Sequence, residues 1–534
     1  MRGACVPKAC TDECTAGTSN AGKTCALYDL AKGEWTDAQP ATSTHDRARA
    51  YIAAIRKHHL PHGQLGSVRY SDPGTYSVVE SLDGLGDSAL HTGEYLASEA
   101  LRLVDTGAVD ARDHVKKGVD TLHLLFNVTG YPGVLARHAV PSDASDLAQL
   151  KYDCSGNDRS HHCNVPYGGT KYNYRGHVSR DMYQGPMLAY GIAYDALGPS
   201  EEDARDKIRK DVVTLVEELM KEKTAPLKLE YNGTKFPKVD VTMRFALLIP
   251  NELEDGAISL KSNGSEGSWR GFQEFIPDLG DVVKQIPLAG MIAPSSIPRS
   301  SSAVMLASFF RLALHVTEGV PAYASRRTAI EKFYLENKLS GGNVHDWMKI
   351  ARAGEIGGDG EDGCGKRYFA NNLVMQPLYN WARLEKDPAV KEVALQIVED
   401  VAWPAFAPTK NPFFQFICQG LTRKPDKAAQ KDAATQLAGF GPPPRVRKPV
   451  DLRSDPKYAE RQPSCTDHVV HTTAVDVGDR ISDEFIWQND PWGLYFDGDL
   501  GMVNPGGDYL VAYWMGRRHG MIEDDRPGTC QRWK

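Results

Sequence analysis

Asp87, His91 and Glu94 follow i, i+4, i+7 spacing, so a helix through them carries two carboxyls and an imidazole on one face. Asp83 joins them if that helix begins early. A second polar run, Tyr172 to Gln184, holds Tyr174, Arg175, His177, Arg180, Asp181 and Tyr183. A third, Lys366 to Asn372, ends in Asn371 and Asn372, and a fourth opens at Asn504 and contains Asp508. Trp487, Trp492 and Tyr495 lie shortly before the fourth. Carboxyl groups set among aromatic side chains suit glycoside chemistry, in which two carboxyls flank the scissile bond and aromatic rings stack on the sugar. We expect Asp87 and Asp181 to form that pair. Asp83, His91, Tyr174, Arg175, His177, Arg180, Tyr183, Asn371, Asn372 and Trp487 would then bind substrate. The guanidinium of Arg180 next to Asp181 favours an ionised carboxylate, suited to a base or nucleophile. Each cluster also has a plainer reading: the first as a solvated helix stripe, the second as a helix start capped by Ser179. What brings the chemical reading level with the plainer one is that such runs precede helices that have no polar face to solvate.

Those helices come in pairs. Ser88 to Thr106 is followed by Ala111 to Asn127, Tyr183 to Leu197 by Glu201 to Lys223, Ser302 to Thr317 by Ser325 to Asn337, and Asn372 to Glu385 by Ala389 to Val401. An earlier helix runs from about Asp46 to His58 and a late one from Gly507 to Met515. Gly, Pro or Asp-Pro stands at each junction. The second members are amphipathic, whereas three of the first members are apolar nearly all round and must be buried on every side. Thr224 to Ile297 alternates like strands and reads as a β-containing insertion, 224–297. Lys424 to Pro463, rich in Lys, Asp and Pro, reads as an irregular surface excursion, 424–463.

The 534 residues carry 62 Lys+Arg and 69 Asp+Glu, a net charge of −7, with 41% hydrophobic and 25% charged residues. This is ordinary globular composition, and its mild acidity argues against nucleic acid as a partner. No apolar run reaches the roughly 20 residues a membrane helix needs. Ten cysteines are present; Cys5, Cys10, Cys14 and Cys25 crowd a polar stretch within residues 1–45. Their spacings do not match paired zinc motifs, so disulfides in an oxidising compartment fit better. A secreted protein is expected, although no apolar leader is visible. The Cys-rich stretch is a candidate tether or assembly segment. His161-His162-Cys163 reads as a loop in preference to a metal cluster, and nothing in the sequence implies a cofactor. Gly-x-Ser-x-Gly, P-loop and His-Glu-x-x-His motifs are absent, and the acidic runs at Asp359 and Asp497 lack a complete calcium-ligand series.

Taken together, the hairpins and polar runs resemble the six-hairpin (α/α) toroid enzymes, an architecture of many glycoside hydrolases and several polysaccharide lyases. The resemblance spans most of 46–534 and rests on hairpin pattern and polar-cluster position. It implies a mainly α chain in which inner helices form a ring, with the polar clusters gathered at one rim. The reading is a secreted glycoside hydrolase acting on a poly- or oligosaccharide. A lyase on the same scaffold would use Tyr183 or His177 as base, with Arg180 and Asn371 stabilising a uronate anion. A non-catalytic extracellular glycan-binding or assembly protein is the third alternative.

Overall fold

The computed structural model describes residues 43–156, 158–262, 267–278, 285, 299–337, 342–353, 369–458, 474–483 and 485–522, with the strand backbones at 28–29 and 34–35. It is about 53% helical and 17% strand, a mainly α chain. The principal helices are α1 (Thr44–His58), α2 (Ser88–Thr106), α3 (Val109–Asn127), α4 (Gln184–Ala196), α5 (Glu202–Met220), α6 (Ser300–Val316), α7 (Ala324–Glu336), α8 (Val344–Ala353), α9 (Phe369–Leu384), α10 (Pro388–Gln396), α11 (Pro412–Leu421), α12 (Lys427–Ala438) and α13 (Gly507–Arg518).

The helices fall into two classes. Every residue of α2 from Ser88 to Leu103, of α4 from Gln184 to Tyr194, of α11 from Pro412 to Gln419 and of α13 from Gly507 to Gly516 is buried. α6 is buried without interruption from Ser302 to Leu314, and α9 from Val374 to Ala382. α3 and α5 bury one stripe only, Val115, Val119 and Leu122 in α3 and Ile208, Val212, Leu215 and Leu219 in α5. Each fully buried Leu, Val or Met contributes about 1.5–3 kcal/mol. The wholly buried helices therefore carry most of the apolar stabilisation.

The buried helices pack on one another. α2 lies against α4 and α13, α4 against α6 and α9, α6 against α9, α9 against α11, and α11 against α13. The half-exposed helices cover them: α3 on α2, α5 on α6, α7 and α8 on α6, α10 on α9, α12 on α11, and α1 on α13. Ion pairs tie the C-terminal ends together. Asp105 in α2 meets Arg517 of α13 at 2.9 Å, and Asp195 in α4 meets His315 of α6 at 2.7 Å and also Arg383 of α9. The guanidiniums of Arg383 and Arg517 in these last turns complement the negative helix ends. Since the first halves of these helices also make contact, as described below, they run parallel.

Most expected helices lie within a few residues of the observed ones. The helix expected through Lys223 stops at Met220, because Lys223–Tyr231 is already a strand paired with Val239–Met243 and Ile258–Ser262. That sheet lies in the expected β-containing insertion. The excursion at 424–463 is not irregular throughout. α12 occupies part of it, started by Asp426, whose carboxylate accepts from the amides of Ala428 and Ala429, and anchored by buried Ala433 and Leu437. Ser67–Tyr70, Val79–Asp83, Arg445–Arg447 and Asp499–Asn504 form a four-stranded sheet, and His138–Pro141, His161–Tyr167 and Thr170–Arg175 form a three-stranded one. No helix among the described residues is long and apolar enough to cross a membrane.

Cys154 and Cys163 form a disulfide across a sequence separation of 9. This removes Cys163 from the metal-cluster reading. Cys418 is a buried free thiol in α11, its ionisation disfavoured by burial. The other cysteines, including the whole tether segment, lie outside the described residues.

The tightest helix crossing is between α2 and α4. A Cβ on Gly93 would lie 2.2 Å from the carbonyl carbon of Gly185, and one on Gly185 would lie 2.1 Å from the backbone oxygen of Leu90. Backbone faces backbone, so no side chain can move aside. Gly185→Ala is expected to lower unfolding free energy by about 2–3 kcal/mol through overpacking. Gly86→Ala, where nothing lies within 4 Å, should be nearly neutral. Urea denaturation of the two variants beside the parent checks this, and equal midpoints would contradict it.

Candidate functional site

Contacts in the first halves of the buried helices join several of them. Gly93 of α2 touches Gly185 of α4. Arg180, just before α4, donates to Ser302 of α6 at 2.5 Å. Gln376 of α9 donates to Glu94 of α2. Asn411, which caps α11, donates to the Trp487 carbonyl at 3.0 Å, and the Trp487 indole donates to the Asp508 carbonyl of α13 at 2.7 Å.

On this side, the N-terminal edge, sits a buried acid–imidazole group. Glu94 is 1% exposed and shares a 2.9 Å hydrogen bond with His91 Nδ1, while its other oxygen accepts from Gln376. His91 stacks on Phe485 at 5.4 Å. Asp508, also 1% exposed, pairs with Arg445 and accepts from the amides of Ile486 and Tyr509 at 3.1 and 2.9 Å. Burial raises both carboxyls above their ordinary values. His91 and Gln376 oppose it at Glu94, and Arg445 opposes it most strongly at Asp508. His91, Glu94, Phe485 and Asp508 line one small cavity of about 20 Å³, room for roughly one water molecule.

Asp87 precedes α2 and is 32% exposed, 3.4 Å from Arg137. Arg137 reaches across the edge. Its Nε donates to the His177 carbonyl at 2.8 Å and its Nη2 to Ser179 Oγ at 2.9 Å. One guanidinium thus holds the approach to α2 beside the approach to α4, and Asp181 follows two residues after Ser179, partly exposed in the turn Arg180–Tyr183. Two glutamates of the insertion complete this region. Glu252 Oε1 accepts from the His177 amide at 2.5 Å, holding that residue at φ 51, and its other oxygen lies 3.6 Å from His177 Nδ1. Glu274 pairs with Arg299 and lies 4.0 Å from Arg180.

The remaining expected residues separate by environment. His162 stacks on Tyr174 at 4.5 Å, the Tyr174 hydroxyl accepts from Asn251 at 2.9 Å, and burial pushes it up to about 12. Arg175 lies over the Tyr152 ring and donates to the Leu150 carbonyl. Tyr183 is fully buried; its hydroxyl donates to the Gly133 carbonyl at 3.1 Å and accepts from the Leu135 amide at 3.0 Å. Trp487 is likewise fully buried. These two rings are packed into the interior and present no face to solvent. Asp83 ends a strand and not a helix: the chain turns before Ser88, so Asp83 lies off the Asp87–His91–Glu94 face, with its carboxylate near Ser81 and Arg69. Arg180 directs its guanidinium to Ser302 and Glu274, so its main partners are across the edge and not its neighbour Asp181. Asn371 and Asn372 fall in the first turn of α9, with side chains outside the described set.

Arg137, Glu252, Glu274, Gln376 and Arg445 were not singled out by the sequence. Arg137, Glu252 and Arg445 lie outside the principal helices, where no periodic pattern marks them. Among the described residues no group of three or more His, Cys, Asp or Glu is placed to hold a metal. No family model matches the chain, and no curated protein or solved structure matches it.

A raised carboxyl pKa has a definite sign in stability. Glu94 contributes fully below its ordinary value of 4.5 and loses that contribution as pH rises through its higher folded value. The parent should therefore lose stability above pH 4.5, by at most about 1.4 kcal/mol per pH unit for one proton. Glu94→Gln should flatten that slope. Urea midpoints measured from pH 4.5 to 8 test it, and parallel curves for the two proteins would refute the assignment.

Proposed function

We propose that the chain is a secreted carbohydrate-active enzyme, a glycoside hydrolase on an (α/α) toroid, with its chemistry at the N-terminal edge of the buried helices. Support for the toroid comes from the cyclic neighbour order α2, α4, α6, α9, α11, α13 and back to α2, with the half-exposed helices outside it. The observation that carries the functional reading is the bridging of Asp87 and the Ser179–Asp181 approach by Arg137, in front of the buried Glu94–His91 pair. Carboxyl groups in contrasting environments at one edge suit the division between a general acid and a base or nucleophile. In this reading Asp87 and Asp181 face the scissile bond. His91 and Glu94, one and two turns further into α2, hold the protonation state behind them. The Cys154–Cys163 disulfide favours an oxidising compartment.

His177 favours a second reading. Its side chain is 42% exposed, beside Glu252, a placement open to a proton-abstracting base in a lyase.

Asp87→Asn and Asp181→Asn should each reduce release of reducing ends by at least ~100-fold with unchanged circular dichroism. A panel of neutral and acidic polysaccharides, assayed for reducing ends and for ultraviolet absorbance, separates the readings. Absorbing unsaturated ends, lost in His177→Ala, would favour the lyase. Full activity in both Asn variants would remove this carboxylate pair.

A further inference from the structure

One oxygen of Glu252 has no donor. The residue is 6% exposed at the end of the turn Pro250–Glu252, and its Oε1 accepts from the His177 amide at 2.5 Å. Among the described residues its Oε2, although buried, has no hydrogen-bond partner. Leaving a buried acceptor unsatisfied is costly, so such an atom calls for a donor that can reach it. His177 Nδ1 lies 3.6 Å from Oε2, on a side chain that is 42% exposed. Hydrogen bonds of this kind are often long in an unoccupied site and tighten when substrate binds.

The surroundings hold the carboxylate and the imidazole in this relation. Gly176 packs so closely that a Cβ there would lie 2.5 Å from Glu252 Oε1 and 2.9 Å from His162 Nε2. His162 Nε2 is itself 4.0 Å from Oε1. Asn251 Nδ2 lies 3.2 Å from His162 Nδ1, and an amide nitrogen only donates, so the His162 proton sits on Nε2, toward Glu252. Burial lowers the His162 pKa, with Glu252 opposing, which makes it the neutral neighbour of this carboxylate. The backbone of His177 is fixed at both peptide groups, by Glu252 at its amide and by Arg137 at its carbonyl, and it sits at φ 51. A left-handed conformation outside glycine persists only where its surroundings over-determine it.

We propose that Glu252 is a positioning residue for His177: its Oε2 accepts from Nδ1–H, so that Nε2 keeps its lone pair. Nε2 lies across the ring from Nδ1, so with Nδ1 turned to a buried carboxylate it faces outward. The inference rests on the lyase reading above. In that reaction Nε2 takes the proton from the carbon next to the uronate carboxyl. The C–H electron pair becomes the new carbon–carbon double bond, the bond to the leaving oxygen breaks, and the imidazolium returns its proton to that oxygen. Glu252 touches no substrate; it fixes which nitrogen acts and stabilises the imidazolium as it forms.

Glu252→Gln separates this role from a structural one. The amide oxygen can still accept from the His177 amide, but the NH2 group then faces Nδ1 as a donor and drives the ring proton to Nε2. Side-chain nitrogen shifts of isotope-labelled histidine, recorded on the full chain at about pH 8.5, where an ordinary imidazole is neutral, report the tautomer. The His177 signal is assigned by its loss in His177→Ala. The parent should show the proton on Nδ1 and Glu252→Gln the proton on Nε2, with unchanged circular dichroism. Release of unsaturated ends from polyuronates should fall at least ~100-fold in Glu252→Gln, in kcat more than in KM. A parent His177 protonated on Nε2 overturns the proposal without need of any variant. The same tautomer in both proteins, or equal release of unsaturated ends by both, overturns it as well. The expected pair of tautomers with no unsaturated product from any polyuronate keeps the Glu252 assignment and removes the lyase reading.

Discussion

Parallel alignment of the buried helices is the constraint on which the rest depends. Each helix leaves its first amides without intrahelical partners, and alignment delivers all of these positive ends to one side of the molecule. Acceptors are needed there, and the chain supplies them: Asn411 for the Phe414 amide, Asp508 for the Tyr509 amide. The opposite side needs donors and cations, which Arg383, His315 and Arg517 supply. The polarity of the described helices follows from one packing decision, and the glycine contact between α2 and α4 lets their backbones approach closely within it.

Within that polarity Glu94 and Asp508 show which effect wins. A helix N-terminus stabilises an anion by about 0.3–1 kcal/mol, up to ~2 when partly buried. Removing a carboxylate from water costs several kcal/mol. Asp508 lies in the first turn of α13 and Glu94 in the second turn of α2, and burial shifts both carboxyls upward. Desolvation outweighs the dipole. Asp87 is partly exposed beside Arg137 and Glu94 is buried, so the edge holds carboxyls in unlike surroundings two turns apart along α2.

Much of the scaffold was legible in the sequence because its signals are local. A helix apolar on all sides declares its own burial, and α4 and α6 do so in a dozen residues. The i, i+4, i+7 spacing of Asp87, His91 and Glu94 likewise survives in the structure, with all three gathered at the start of α2. What could not be read depends on distant encounters. Arg137 has no motif, and its role exists only because two separated segments, Gly86–Asp87 and His177–Ser179, converge on its guanidinium. Tyr183 and Trp487 belong to polar, aromatic runs by sequence, but packing turned them inward, where backbone partners satisfy their polar atoms. Asp83 shows the same limit at short range: the strand pairing of Val68 with Leu82 and Ser67 with Asp83 captures it before the helix can begin.

The insertion between α5 and α6 contributes Glu252 and Glu274, the acidic partners of His177 and Arg180. Neither glutamate belongs to a buried helix, and both arrive on one contiguous stretch. Part of the local chemistry is therefore encoded outside the buried helices, whereas Asp87, His91 and Glu94 belong to α2 and its start. Exchanging that stretch would rewrite the electrostatics in front of α4 and α6, but Phe245 and Phe275 pack on Trp347, Tyr183 and Phe309, so a graft that alters selectivity must keep those two rings.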